Sequence, residues 1–159
     1  MQGILTANTV ARAFEFVRPC IELTLRSGVT RRRDLVVVAN AVEIINPMTE
    51  GKSFEDNCYL VHEFGDPAKY EWPYKKIALS KAEISVRTGL PTTKVAPQYL
   101  LDDDTVNSGS AVIDGIVVAC SGVEGFYDEM FSYWLAAAIQ AEAKRYFTDL
   151  REAKVDFVP

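Results

Sequence analysis

Ser108-Gly109-Ser110-Ala111-Val112-Ile113-Asp114-Gly115-Ile116-Val117-Val118-Ala119-Cys120-Ser121-Gly122-Val123-Glu124-Gly125-Phe126-Tyr127-Asp128-Glu129-Met130 decides the fold. The stretch predicts a strand, a tight turn, a second strand, a glycine-bounded break and a helix. Asp114-Gly115 between two short apolar runs signals a hairpin, because a type I′ turn needs positive φ at both central residues and Asp and Gly tolerate it. Ile116 to Cys120 is apolar at every position, as expected of a strand covered on both faces of its sheet. Gly122 and Gly125 permit a sharp change of direction. Asp128 and Glu129 then fall in the first turns of a helix, where the peptide dipoles favour carboxylates.

Downstream, Gly125 to about Leu150 reads as one long helix rich in alanine, the strongest helix former. Phe126, Met130, Phe131, Tyr133, Trp134 and Ile139 make it apolar over more than one stripe. Such a helix is expected to be covered on two sides, by the sheet and by a neighbouring helix or a second subunit, with the subunit favoured. Val155 to Pro159 is expected to be loosely held.

Upstream, Thr6 or Asn8 can cap a first helix, whose apolar face runs through Ala7, Val10, Ala11, Phe14, Val17 and Ile21. Pro19 removes an amide donor and clashes with the preceding turn, so a kink or an end is expected near Arg18, with Cys20 to Arg26 as a second piece. Leu35 to Ile45 and Cys58 to Phe64 read as strands joined by the polar loop Asn46 to Asp56, an antiparallel pair. In the second strand, Tyr59, Val61 and Glu63 fall on one face and Leu60, His62 and Phe64 on the other. Trp72-Pro73 opens another helix, with Tyr74, Ile77, Ala78, Lys81, Ile84, Ser85 and Thr88 on one face. Gly89 and Pro91 end it. Pro91 to Asn107 is too long for a plain connector and reads as a lid or an oligomer contact. The expected class is α+β, an antiparallel sheet with flanking helices, in a single domain over residues 1–159.

A net charge of −5 disfavours nucleic acid and anionic membrane as partners, which need a basic surface. The one basic run, Arg31-Arg32-Arg33, is either a solvated or ion-paired cluster or an anchor for an anionic ligand group. Cys20, Cys58 and Cys120 show no metal-binding spacing and suggest buried thiols in a reducing compartment. The N-terminus carries no secretory pattern and no apolar run reaches bilayer length, so a cytoplasmic protein is expected.

Several side chains are candidates for chemistry. His62 is the only histidine, which excludes a multi-histidine metal site within one chain. It is either a hydrogen-bonded strand residue or a ligand, axial haem contact or general base. Asp128 and Glu129 either stabilise the helix start or place one carboxylate in a cleft under Gly122 to Gly125. Lys81 lies on an otherwise apolar face, where it snorkels, pairs with a carboxylate, or acts as a desolvated base or anion contact. Trp72, Tyr74 and Tyr127 either pack or line a flat aromatic ligand. Cys120, in an apolar strand, reads as an inert thiol. No nucleophile-elbow, zinc-protease, P-loop or dinucleotide motif is present.

Ile77-Ala78-Leu79-Ser80-Lys81-Ala82 followed by Gly89-Leu90-Pro91-Thr92 resembles the helix of the GlcG/HbpS family, labelled haem-binding or haem-degrading. Gly109 to Val123 with Asp128-Glu129 is similar to that family's late hairpin and helix start. The resemblance covers roughly residues 35 to 145. It departs at the loop Asn46 to Asp56, where family members have a tight Asp-x-Gly-Gly turn, and at His62-Glu63-Phe64-Gly65-Asp66, where they have an Arg-Met-Asp stretch. The usual Gly-Gly-Xaa-Pro start of the late hairpin is also absent. The resemblance implies a profilin-like α/β sandwich that forms homo-oligomers and takes haem or another small organic ligand. His62, Trp72, Tyr127 and Asp128 are the candidate ligand-binding residues. The alternatives are a small enzyme or accessory subunit using Glu129, Lys81 or His62 for acid–base chemistry on an aromatic or carbonyl compound, and a structural assembly partner.

Overall fold

The computed structural model describes residues 3–159. In chain order it contains α1 (Ala7–Ser27), β1 (Leu35–Ala41), β2 (Leu60–Phe64), α2 (Tyr74–Thr88), β3 (Ser110–Ile113), β4 (Ile116–Ser121) and α3 (Gly125–Glu152), with single 3₁₀ turns in the loops. The four strands form one antiparallel sheet in the order β2-β1-β4-β3. This is an α+β domain.

The sheet explains the two continuous apolar runs. Along β1, Leu35, Val37 and Ala39 face one cluster and Val36 and Val38 the other. Along β4, Ile116, Val118 and Cys120 face the first cluster and Val117 and Ala119 the second. Both strands are central and buried at every position, so period-two alternation places apolar side chains on both faces. Helices α1 and α3 cover the first face and α2 covers the second.

The β3–β4 hairpin turns on Asp114 (φ +48°) and Gly115 (φ +82°), with Ile113 opposite Ile116. Positive φ at both central residues is the type I′ geometry expected from Asp-Gly. Strand β1 ends at Ala41, short of the expected Ile45. The amides of Ile45 and Asn46 donate to the Val42 carbonyl and turn the chain there. Buried Asn40 holds the following loop, its Oδ1 accepting from the Ala41 amide at 2.8 Å and from Asn46 Nδ2 at 2.7 Å.

Pro19 does not end α1, which runs unbroken from Ala7 to Ser27. Val10, Phe14, Val17, Ile21 and Leu25 are buried on both sides of Pro19, and the proline itself faces solvent. Packing of that stripe outweighs the roughly 3 kcal/mol that an interior proline costs a helix. Thr6 caps the start, its hydroxyl accepting from the Thr9 amide at 3.2 Å. The second neighbour of α3 is α1 of the same chain, packed antiparallel to it, with Arg12 bonded to Glu142 at one end and Arg31 to Glu124 at the other. The thiols differ from expectation too. Only Cys120 is buried; Cys58 is half-buried and Cys20 is exposed.

Candidate functional site

A cleft of about 520 Å³ lies at the end of the sheet where β4 gives way to α3. Arg32, Trp72, Tyr74, Ser121 and Gly125 are on its walls, and Lys81 and Asp128 form its floor. A wider groove of about 1110 Å³ follows the outer face of α2 and shares Trp72 and Tyr74 with this cleft; within it Lys75 pairs with Glu55 and Arg87 with Asp104. The smaller cleft alone has a buried ion pair in its lining, and Tyr74, whose hydroxyl has no partner among the described residues, stands on its wall.

The floor is a buried ion pair. Lys81 Nζ lies 3.0 Å from Asp128 Oδ2 and donates to the Cys120 carbonyl at 2.7 Å. The other carboxylate oxygen of Asp128 accepts from the Val123 amide at 3.3 Å. Lys81 is 1% exposed and Asp128 2%. The pair ties α2 to the end of β4 and to the first turns of α3. Ser132 reinforces it, its hydroxyl lying 2.8 Å from the carbonyl oxygens of both Gly109 and Asp128. Thr92, just after α2, closes the neighbouring corner. Its hydroxyl accepts from the Gly109 amide at 3.0 Å, and its amide donates to Ser110 Oγ at 2.8 Å.

Burial pushes the Asp128 carboxyl up to about 6, because lost hydration outweighs the stabilisation of its anion by Lys81 and the Val123 amide. A group whose folded-state pKa is raised stabilises the fold fully below its unfolded value. That contribution is lost as pH rises through the folded value. The window for Asp128 therefore runs from about pH 4 to about pH 6, and its contribution should fall by up to about 3 kcal/mol across it. Exposed Asp56 and half-buried Glu142 are shifted down by hydrogen bonds and act in the opposite sense. A residue-specific carbon-13 titration should show one aspartate with a midpoint near 6; a midpoint near 4 for Asp128 would contradict its desolvation.

The candidate residues do not converge on one place. Asp128, Lys81 and Trp72 belong to the cleft. Tyr127 packs toward the α1 side with its ring centroid 4.7 Å from that of Phe126. Glu129 is half-buried and makes no ion pair among the described residues. His62 lies across the sheet, half-buried, its ring 4.8 Å from that of Phe14 and 4.6 Å from that of Phe64. Burial, helped by the Arg18 charge, lowers its pKa. Cys120 is pushed up to about 12 by burial and is not a nucleophile at neutral pH.

Three polar features of the cleft escaped the sequence. The Tyr74 hydroxyl is buried and has no hydrogen-bond partner among the described residues. Its ionisation is disfavoured first by burial and feels Arg32, Glu71, Asp34 and Asp128, which places it at this end of the sheet. Ser121 ends the buried strand β4 with a hydroxyl that makes no hydrogen bond among the described residues. Of the basic run, it is Arg32 that lines the cleft, while Arg31 pairs with Glu124 at 3.6 Å. The run itself was a visible signal; which arginine stands at the cleft was not.

Among the described residues no helix is long and apolar enough to cross a membrane. No protein-family model, no curated protein and no solved structure matches this chain.

Proposed function

We propose that the protein is a binding module for a small organic molecule, held in the cleft between α2 and the β4–α3 turn. The observation that carries this reading is the Tyr74 hydroxyl. It belongs to a residue only 4% exposed and meets no partner in the cleft wall. An unsatisfied buried hydroxyl costs about 1–3 kcal/mol, and a ligand atom would supply the missing bond. The adjoining walls are apolar, from Trp72, Ile77 and Val123. Polar groups make up about half of the lining, and a concavity that joins apolar walls to convergent polar groups suits a small molecule.

The ion pair supports the site rather than reacting in it. Lys81 and Asp128 use their hydrogen bonds on each other, Cys120 and Val123. That favours binding over acid–base turnover. Haem as the ligand and assembly into homo-oligomers are supported by the resemblance to the GlcG/HbpS family, not by His62, which lies across the sheet from the cleft.

A fragment screen by calorimetry should find compounds whose affinity falls at least about fivefold in Tyr74→Phe, roughly 1 kcal/mol. The same variant without ligand should be no less stable than the parent, since it removes an unpaired hydroxyl. Ligands that bind Tyr74→Phe and the parent equally would place the site elsewhere.

A further inference from the structure

Several hydrogen-bond donors at the cleft have no acceptor among the described residues, and we propose that its ligand is a small organic oxyanion: a carboxylate or phosphate group on a flat apolar body, seated between Arg32, Tyr74 and the first turn of α3. The inference rests on the cleft being the ligand site.

Five donor groups lie in or beside the cleft. Helix α3 begins without a side-chain cap, because Glu124 turns its carboxylate to the Arg31 amide at 3.2 Å and to the Arg31 guanidinium. The amides of Gly125 and Phe126 therefore have no protein acceptor among the described residues, at the positive end of a 28-residue helix. Tyr74 adds its unpartnered hydroxyl. Ser121 adds a second hydroxyl with no partner among the described residues. Arg32 supplies a permanent positive charge at the mouth, held only by a 3.3 Å contact to Glu71, itself two-thirds exposed. The one carboxylate in the cleft, Asp128, is neutralised by Lys81, so nothing there demands a cation. Trp72 and Ile77 give the flat apolar wall against which the body of the ligand would lie.

Matched probes test this. Calorimetry would compare benzoate with benzamide, indole-3-acetate with indole-3-acetamide, and phenyl phosphate with phenol. The anion of a pair should bind at least about tenfold tighter than its neutral partner. Arg32→Gln should erase most of that preference and leave the neutral partner unaffected. Glu71→Gln should raise anion affinity a few-fold, because it releases Arg32 from its competitor, a gain that a merely structural Arg32 would not produce. The better of the carboxylate and phosphate arms identifies the group. Equal binding of charged and neutral partners, or a preference that survives Arg32→Gln, overturns the oxyanion and leaves a neutral ligand in the same cleft. Failure of every anion up to about 10 mM also overturns it, and a fragment screen that then fills the cleft with neutral compounds keeps the broader binding function.

Discussion

Lys81→Ala is expected to destabilise the protein by about 3–5 kcal/mol, the usual cost of removing one partner from a buried ion pair. The loss comes mainly from what remains. Asp128 is 2% exposed and would have no counter-charge, and the Cys120 carbonyl would lose its donor. Asp128 would respond by holding its proton to higher pH, since burial already raises it to about 6 with Lys81 in place. The deficit in urea unfolding should therefore be larger at pH 8 than at pH 5. Lys81→Met with Asp128→Asn should recover part of it, because the methionine fills the volume and the asparagine oxygen can still accept from the Val123 amide. A loss below about 1 kcal/mol for Lys81→Ala would show that the pair does not join α2 to the start of α3.

The second large effect belongs to Gly122. Its φ is +148°, and a Cβ there would lie 2.2 Å from the Asp34 carbonyl oxygen and 2.9 Å from Leu35 Cα. Both are backbone atoms at the head of β1, so no side chain can swing aside. Gly122→Ala should cost about 3 kcal/mol or more, from backbone strain together with overlap. Gly28 is the control. It also has positive φ, +81°, but a Cβ there meets nothing within 4 Å, so Gly28→Ala should cost only about 1 kcal/mol. Equal losses would show that strain alone, not the close approach of β1, requires glycine at 122. Ligand binding should suffer with Gly122→Ala, because Ser121, Gly122, Val123 and Gly125 are both the β4–α3 corner and the wall of the cleft.

Much of the fold was legible because the signals are local. Asp114-Gly115 forms the turn that its chemistry demands, and Ile116 to Cys120 is buried on both faces as its unbroken apolarity implies. Helix α2 ends at Gly89 in the left-handed conformation, as Gly89 and Pro91 suggested. The reading of Pro19 as a break failed because the rule concerns an isolated helix, whereas a buried stripe holds both halves of α1. The apolar breadth of α3 was legible, but not that α1 supplies its second cover.

The candidate site was legible in pieces. Lys81 on an apolar face and Asp128 in a first helical turn each stood out, yet nothing local says that residues 47 apart meet. Tyr74 read as an aromatic wall, and only its surroundings reveal a hydroxyl without a partner. Residue order alone determined the hairpin, the alternation of both central strands and the extents of α2 and α3, since turn chemistry and periodicity act over a few neighbouring residues. Which charges lie together, which donors stay unpaired and where the chain leaves a cavity were decided only by packing α2 across the sheet from α1 and α3, because those properties depend on distances between segments far apart in the chain.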